Sequence, residues 1–233
     1  NLTLQIGREG RTVKINHPGP EILPAAWQEL SDLLDKTLAS GSFLAVCGRF
    51  PPGMGHEEIV GLLARLSGRG VRICVDSEML DVEHLAKICP FLVKWNQLEF
   101  EALLARPIAL ASRADCASAA DSVARRTGAI VVVTRGEDGA VAATPEGRRM
   151  LLAAPAVEAR STVGAGDAML GGILAVFAGW RPDRETEGDT LLELALRTGV
   201  ACGAAKSVLT GTGMPTQDAI LAWYRKTGRP SPV

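Results

Sequence analysis

The sequence has 233 residues, of which 47% are hydrophobic, and this is enough for one large core with at most a small appendage. Lys and Arg total 25 against 26 Asp and Glu, so the net charge of −1 excludes a global basic field for nucleic acid or an anionic membrane. The five cysteines are odd in number and lack metal-ligand spacing. They predict free thiols and with them a cytoplasmic protein. No apolar run is long enough to span a bilayer, so we expect no membrane partner.

The predicted elements begin with a β-hairpin, because residues 1–6 and 12–15 alternate apolar and polar side chains on either side of a turn. A helix follows over residues 24–38. Short apolar strands then alternate with helical patterns, with strands predicted at 43–47, 71–75, 91–94, 129–133 and 139–143, and helices at 56–67, 82–87, 97–104, 116–126, 165–179, 191–206 and 217–226. Repeated strand–helix units of this kind predict an α/β protein with a parallel sheet covered on both faces.

A glycine-rich segment, Ser161-Thr-Val-Gly-Ala-Gly-Asp-Ala168, lies between an extended stretch and a long apolar helix. Gly164, Ala165 and Gly166 let the backbone approach a ligand, and their N–H groups lie at a helix N-terminus, where partial positive charge favours an anion. Asp167 stands in the same predicted first turn. Phosphoryl transfer needs both features, because the transferring phosphate needs donors and the acceptor hydroxyl needs a base.

The glycine-rich segment also has a simpler interpretation, and it can be compared with two other phosphate-binding loops. Gly-Ala-Gly alone is typical of a tight strand-to-helix turn with Asp near the N-cap. A Gly-x-x-x-x-Gly-Lys-Ser/Thr sequence is absent, which excludes a P-loop enzyme. Met169 stands where the dinucleotide fingerprint has its third glycine, and this argues against an oxidoreductase with a nucleotide-binding fold.

Arg160-Ser-Thr-Val-Gly-Ala-Gly-Asp-Ala-Met169 resembles the C-terminal signature of the ribokinase (PfkB) family of carbohydrate kinases. Further segments resemble family motifs in the family's order, and together they cover essentially the whole chain: Cys47-Gly-Arg-Phe-Pro-Pro-Gly53, Val75-Asp76-Ser77, Lys94-Trp-Asn-Gln-Leu-Glu99, Val133-Thr-Arg-Gly-Glu-Asp-Gly-Ala140 and Gly211-Thr-Gly213. Within the family, the sequence is most similar to the phosphofructokinase branch.

This resemblance implies a ribokinase-like three-layer α/β sandwich, with a mostly parallel sheet and a partial β lid. Residues 1–15 are then a remnant of the lid, through which a homodimer can form, and residues 16–233 are the kinase domain. The implied activity is ATP-dependent phosphoryl transfer to a hydroxyl of a phosphorylated ketohexose. Asp167 is then the catalytic base, and the anion hole consists of Gly164, Ala165 and Gly166.

The resemblance also implies a nucleotide site with Mg²⁺. Asn96 and Glu99 order the metal ion through its waters, Lys94 faces the phosphates, and the remaining contacts are Thr134, Gly136, Gly139, Gly211 and Gly213. The residues themselves leave simpler interpretations open. Asn96 with Glu99 three residues later is also a capping box, Lys94 can merely end a strand, and the segment from Thr134 to Gly139 can merely be a hairpin turn.

The identity of the acceptor rests on fewer residues. Cys47 and Arg49 stand where the family usually has serines, and Trp95 replaces a proline. Arg49 either binds a substrate phosphate or is a solvated loop charge. Fructose 1-phosphate is the first expectation, and fructose 6-phosphate and tagatose 6-phosphate are the alternatives. A non-catalytic sugar-phosphate or nucleotide-binding relative is a further alternative, against which Asp167 argues.

The family's front segment carries a sugar-binding Asp and a Gly-Gly-x-x-x-Asn motif, and neither occurs in these 233 residues. The sequence also opens directly on the predicted hairpin, without an initiator Met. We therefore expect that it begins inside a longer polypeptide, and that the 233 residues alone are a poor kinase.

Overall fold

A computed structural model describes residues 2–6, 11–15, 17–104, 112–182 and 189–233. The strands in these ranges are β1 Leu2–Ile6, β2 Arg11–Ile15, β3 Phe43–Cys47, β4 Arg72–Asp76, β5 Leu92–Asn96, β6 Ile130–Thr134, β7 Ala140–Ala143, β8 Arg149–Leu152 and β9 Ser231–Pro232. The helices are α1 Pro24–Thr37, α2 His56–Gly68, α3 Val82–Ile88, α4 Gln97–Leu103, α5 Arg113–Thr127, α6 Ala165–Phe177, α7 Leu191–Ser207 and α8 Gln217–Lys226.

Seven strands form one sheet whose spatial order, β3 to β9, is also the chain order. Strands β3 to β6 are parallel, and β7, β8 and β9 each join antiparallel to the preceding strand. Five of the seven strands therefore point the same way, which confirms the predicted α/β sheet. The sequence did not predict β8, a short strand that begins with Arg149, or β9, which has only two residues, one of them Pro232.

Two buried clusters cover opposite faces of this sheet, since alternate residues of one strand belong to different clusters. Val93 and Trp95 of β5 pack in the cluster that holds the buried side chains of α2, α3 and α5. Leu92 of β5 and Val132 of β6 pack in the cluster of α6, α7 and α8. The result is the predicted three-layer sandwich, with helices on both faces.

The opening hairpin is confirmed as a separate two-stranded sheet. Strands β1 and β2 pair antiparallel, with Leu2 opposite Ile15 and Ile6 opposite Arg11. Val13 and Ile15 of β2 are exposed, at 41% and 55%. That the hairpin is part of a lid, and that residues 1–15 form a unit apart from residues 16–233, stay predictions. None of the helices in the described ranges combines the length and apolar character needed to cross a membrane.

Glycines allow α6 and α7 to pack closely. A Cβ added to Gly172 of α6 would lie 2.6 Å from Cys202 Sγ and 3.1 Å from the carbonyl oxygen of Thr198. A Cβ added to Gly199 of α7 would lie 2.6 Å from Cγ1 of Ile173. This contact holds the N-terminus of α6 in place against the C-terminal half of α7, so it also positions the glycine-rich segment.

Replacing Gly172 by alanine should lower the free energy of unfolding by about 1–3 kcal/mol, because the added methyl group overpacks the α6–α7 contact. The matched control is Gly171→Ala, since Gly171 is exposed on the same helix and an added Cβ meets no atom within 4 Å. The control should gain about 0.5–1 kcal/mol from its better helix propensity. Urea unfolding of both variants measures the difference, and equal effects would contradict the account of the contact.

Candidate active site

The carboxyl ends of the parallel strands bring the predicted residues to one edge of the sheet. Cys47, the last residue of β3, lies opposite Asp76, the last residue of β4. Asn96, the last residue of β5, lies opposite Thr134, the last residue of β6. The loop after β3 is tied to the loop after β4, because the Ser77 hydroxyl donates a 2.6 Å hydrogen bond to the carbonyl of Gly48.

A buried ion pair lies at the centre of this edge. Lys94 Nζ is 2.7 Å from Asp76 Oδ2, and the two side chains are only 4% and 13% exposed. Burial raises the pKa of Asp76, and Glu99 and Asp167 raise it further, whereas Lys94 lowers it. The ammonium of Lys94 therefore favours the charged form of Asp76, which burial and the two neighbouring carboxylates disfavour.

The N-terminus of α6 lies directly beside Lys94. Gly164 precedes the helix in the left-handed conformation, with φ of 76°, and provides no side chain to cap the first-turn N–H groups. The N–H of Ala165 donates to the carbonyl of Thr162, whereas those of Gly166 and Asp167 have no acceptor among the described residues. A Cβ on Gly166 would lie 3.1 Å from Lys94 Nζ. Two free donors and a cation thus converge, as an anion site requires.

Asp167 lies in the first turn of α6 and is exposed. Its Oδ2 atom is 3.9 Å from the position that a Cβ on Gly164 would occupy. Burial raises the pKa of the Cys47 thiol, and Asp76 and Asp167 raise it further, so Cys47 stays a neutral thiol within the field of both carboxylates. The exposed carboxylate of Asp167 can accept a proton from a bound group.

Asn96 and Glu99 form the capping box at the start of α4. Asn96 Oδ1 accepts a 3.0 Å hydrogen bond from the backbone N–H of Glu99, and Glu99 Oε2 accepts a 2.8 Å hydrogen bond from the N–H of Asn96. No group of three or more His, Cys, Asp or Glu side chains within the described ranges is arranged to hold a metal ion. An amide and a carboxylate fit only an ion that keeps most of its waters.

The predicted nucleotide-site glycines lie in two tight turns. Gly136 and Gly139 have positive φ in the turn between β6 and β7, and a Cβ on Gly139 would lie 1.9 Å from the carbonyl oxygen of Leu152. Thr134 Oγ1 is 3.5 Å from the carbonyl oxygen of Trp95. Gly211, with φ of 57°, and Gly213 follow α7. The hairpin turn is therefore confirmed, and contact with a nucleotide stays a prediction.

Arg49 lies beside the site and away from its centre. It forms an exposed ion pair with Glu78. Both residues line a cavity of about 430 Å³, which Glu99 of α4 also lines. Arg49 can therefore meet a ligand in this cavity only if Glu78 releases it or if the ligand joins the pair.

Sequence reasoning missed two charged residues of the site. Asp76 belongs to the Val75-Asp76-Ser77 segment, but only the register of β4 beside β5 shows that it pairs with Lys94. Lys206 of α7 is 2% exposed, and its Nζ donates a 2.7 Å hydrogen bond to the carbonyl of Gly211. A charged residue at the end of an otherwise small and apolar helix face was the available signal.

Residues 1–219 match the sequence profile of the pfkB family carbohydrate kinases. The chain belongs to the pfkB family. It is 30% identical to the ATP-dependent 6-phosphofructokinase isozyme 2 of Escherichia coli over 94% of this chain and 67% of the relative. It is 31% identical to the 1-phosphofructokinase of E. coli over 72% of this chain and 53% of the relative. The chain thus spans about half to two thirds of the length of these relatives.

The pfkB-family fold is also seen in solved structures. Phosphofructokinase-2 from E. coli, in complex with substrates and products, matches with a TM-score of 0.80 and 28% identity, over 96% of this chain and 69% of that one. The α/β sandwich that positions Lys94 and α6 is therefore the ribokinase-like fold of that enzyme.

Replacing Lys94 by methionine should destabilise this pfkB-family protein by about 3–5 kcal/mol at pH 8, because Asp76 is left buried and unpaired. The pKa of Asp76 in the folded protein should rise further. A carboxyl whose pKa is higher in the folded than in the unfolded protein favours folding only where it is protonated. The loss of unfolding free energy in Lys94→Met should therefore be smaller at pH 5 than at pH 8.

The matched variant is the double substitution Lys94→Met with Asp76→Asn, which removes both charges. It should recover most of the lost free energy of unfolding and should abolish the added pH dependence. Urea unfolding of the parent, Lys94→Met, Asp76→Asn and the double variant at both pH values completes a double-mutant cycle. Additive effects of the two substitutions would contradict a coupled pair.

Proposed function

We propose that this protein catalyses ATP-dependent phosphoryl transfer to a hydroxyl group of a phosphorylated ketohexose. One observation carries the proposal: the exposed carboxylate of Asp167 lies in the same helical turn as two N–H groups that have no acceptor in the described part of the chain. Such donors suit the transferring phosphoryl group, and such a carboxylate suits the attacking hydroxyl. Membership of the pfkB family and the names of its kinase relatives support the same conclusion.

The proposed reaction follows from these positions. Asp167 takes the proton of the acceptor hydroxyl as that oxygen forms a bond to the γ-phosphorus of ATP. The bond between the γ-phosphorus and the bridging oxygen breaks, and ADP leaves with that oxygen. Gly164, Ala165 and Gly166 are the proposed anion hole, but the N–H of Ala165 already donates to the carbonyl of Thr162. The N–H groups of Gly166 and Asp167 and the ammonium of Lys94 would therefore stabilise the charge on the transferring group.

The nucleotide is proposed to lie along the two glycine turns, with contacts from Thr134, Gly136, Gly139, Gly211 and Gly213. Asn96 and Glu99 would hold Mg²⁺ through its waters, and the ion would neutralise phosphate charge when bound. In that case the capping box has two roles, because it fixes the two side chains that orient the waters.

The acceptor is proposed to be fructose 1-phosphate, with fructose 6-phosphate and tagatose 6-phosphate as alternatives. Relatives named for both phosphofructokinase activities are about equally similar, at 30% and 31% identity, and so they do not rank the two fructose phosphates. Arg49, at the edge of the cavity, is the proposed contact for the sugar phosphate. Residues 1–15 are proposed as part of a lid, through which a homodimer forms, and residues 16–233 as the kinase domain.

Replacing Asp167 by asparagine should lower turnover by a factor on the order of 10² to 10⁴, because the amide cannot take the proton. Affinity for ATP should change little. The matched control is Asp218→Asn, since Asp218 is an exposed aspartate in the first turn of α8 and lies outside the proposed site. Near-parental turnover in Asp167→Asn would remove Asp167 from the role of base.

A coupled ADP-release assay of the full-length protein measures this turnover and also tests the proposed function as a whole. In the full-length protein we expect activity with at least one of fructose 1-phosphate, fructose 6-phosphate and tagatose 6-phosphate, and little with unphosphorylated fructose. ATP binding without ADP release on any acceptor would favour the non-catalytic alternative. A preference for an unphosphorylated sugar would refute the proposed acceptor class.

A further inference from the structure

A buried lysine outside the glycine-rich segment lies between the start of α6 and the glycine turn after α7. Lys206 ends α7 and is 2% exposed. Its Cε atom is 3.2 Å from the position that a Cβ on Gly164 would occupy, and its ammonium donates to the carbonyl of Gly211 at 2.7 Å. The lysine stem therefore lies against the start of α6, and its charged end contacts the loop after α7.

Lys206 differs from Lys94, the other buried lysine of the described ranges, because no carboxylate of those ranges pairs with it. Lys94 is neutralised by Asp76 at 2.7 Å. Lys206 forms no ion pair with a carboxylate of the described residues, and its one hydrogen-bond acceptor there is the neutral carbonyl of Gly211. A buried ammonium without a counter-ion is unfavourable, although its place in the last turn of a helix offsets part of the cost. An anionic ligand would supply the missing charge.

The position of Lys206 indicates which ligand that is. Its stem lies against Gly164, which directly precedes the helical turn with the two free N–H groups. Its ammonium holds Gly211, at the start of the turn proposed for the nucleotide. Resting on the proposed function, we propose that Lys206 is a further phosphate-binding residue, and that its ammonium is the counter-cation for the phosphates of the bound nucleotide.

Lys206 is also a second physical reason why residue 164 is a glycine. Its φ of 76° is unfavourable for residues with a side chain. In addition, a side chain there would compete with the stem of Lys206 for the same space. The position of the Lys206 stem in the last turn of α7 therefore requires a residue without a side chain at position 164.

Two variants separate the charge of Lys206 from its hydrogen bond. Lys206→Gln keeps an N–H donor for the carbonyl of Gly211 and loses the charge, whereas Lys206→Met loses both. The matched control is Lys36→Met, since Lys36 is exposed on α1, on the other side of the sheet from α7. The probes are ATP, adenosine and fructose 1-phosphate, each titrated by calorimetry into the whole chain.

Lys206→Gln should bind ATP about 10-fold to 100-fold more weakly than the parent, the effect of losing a charged hydrogen bond. Its affinity for adenosine, which has no phosphate, should stay within about twofold. Lys36→Met should match the parent with every probe. If Lys206→Met does not fold, Lys206→Gln decides alone, with circular dichroism as the check that it is folded.

Other outcomes overturn the inference. Parental ATP affinity in Lys206→Gln would show that Lys206 acts only as a hydrogen-bond donor to the loop. An equal loss for ATP and adenosine would show a structural role. A loss confined to fructose 1-phosphate would assign the lysine to the sugar phosphate instead. A parent that binds no ATP would contradict the proposed function itself, and that result is distinct from the other three.

Discussion

The buried ion pair between Lys94 and Asp76 is the interaction on which the candidate site depends. It joins the ends of two neighbouring parallel strands, and its ammonium lies beside Gly166 at the start of α6. Without Lys94, Asp76 would be a buried charge next to Glu99 and Asp167, which also raise its pKa. Lys94 therefore has two roles. It offsets the charge of the buried Asp76, which stabilises the edge of the sheet, and it faces the proposed anion site.

Close backbone approach is the second constraint. Gly166 leaves room for Lys94, Gly164 leaves room for Lys206, and Gly172 and Gly199 let α6 approach α7. Gly139 likewise allows a close approach in the turn between β6 and β7, where a side chain would collide with the backbone of Leu152. Gly164 and Gly166 thus leave room for two buried lysine side chains beside the N-terminus of α6, where phosphate is proposed to bind.

The local features of this protein followed from its sequence, and the long-range ones did not. Apolar runs such as residues 129–133 and the helical spacing of residues 217–226 predicted elements that the structure confirms, because these patterns reflect burial within one element. Asn96 and Glu99 predicted their own capping box, since both partners lie in one turn. The pairing of Lys94 with Asp76 could not be predicted, because it depends on the register of two neighbouring strands. Lys206 and Gly211 lie close in sequence, but their hydrogen bond depends on the conformation of the loop after α7, which no sequence pattern indicates.

The central claim is that the first turn of α6 receives the phosphates of ATP, and titration of a non-hydrolysable ATP analogue into Gly166→Val tests it most directly. A valine side chain would fill the space beside Lys94 Nζ and block the free N–H groups. Gly171→Val is the control, because position 171 on the same helix is exposed and open. The account predicts a loss of affinity of about tenfold or more in Gly166→Val alone. Equal affinities in the two folded variants would contradict it.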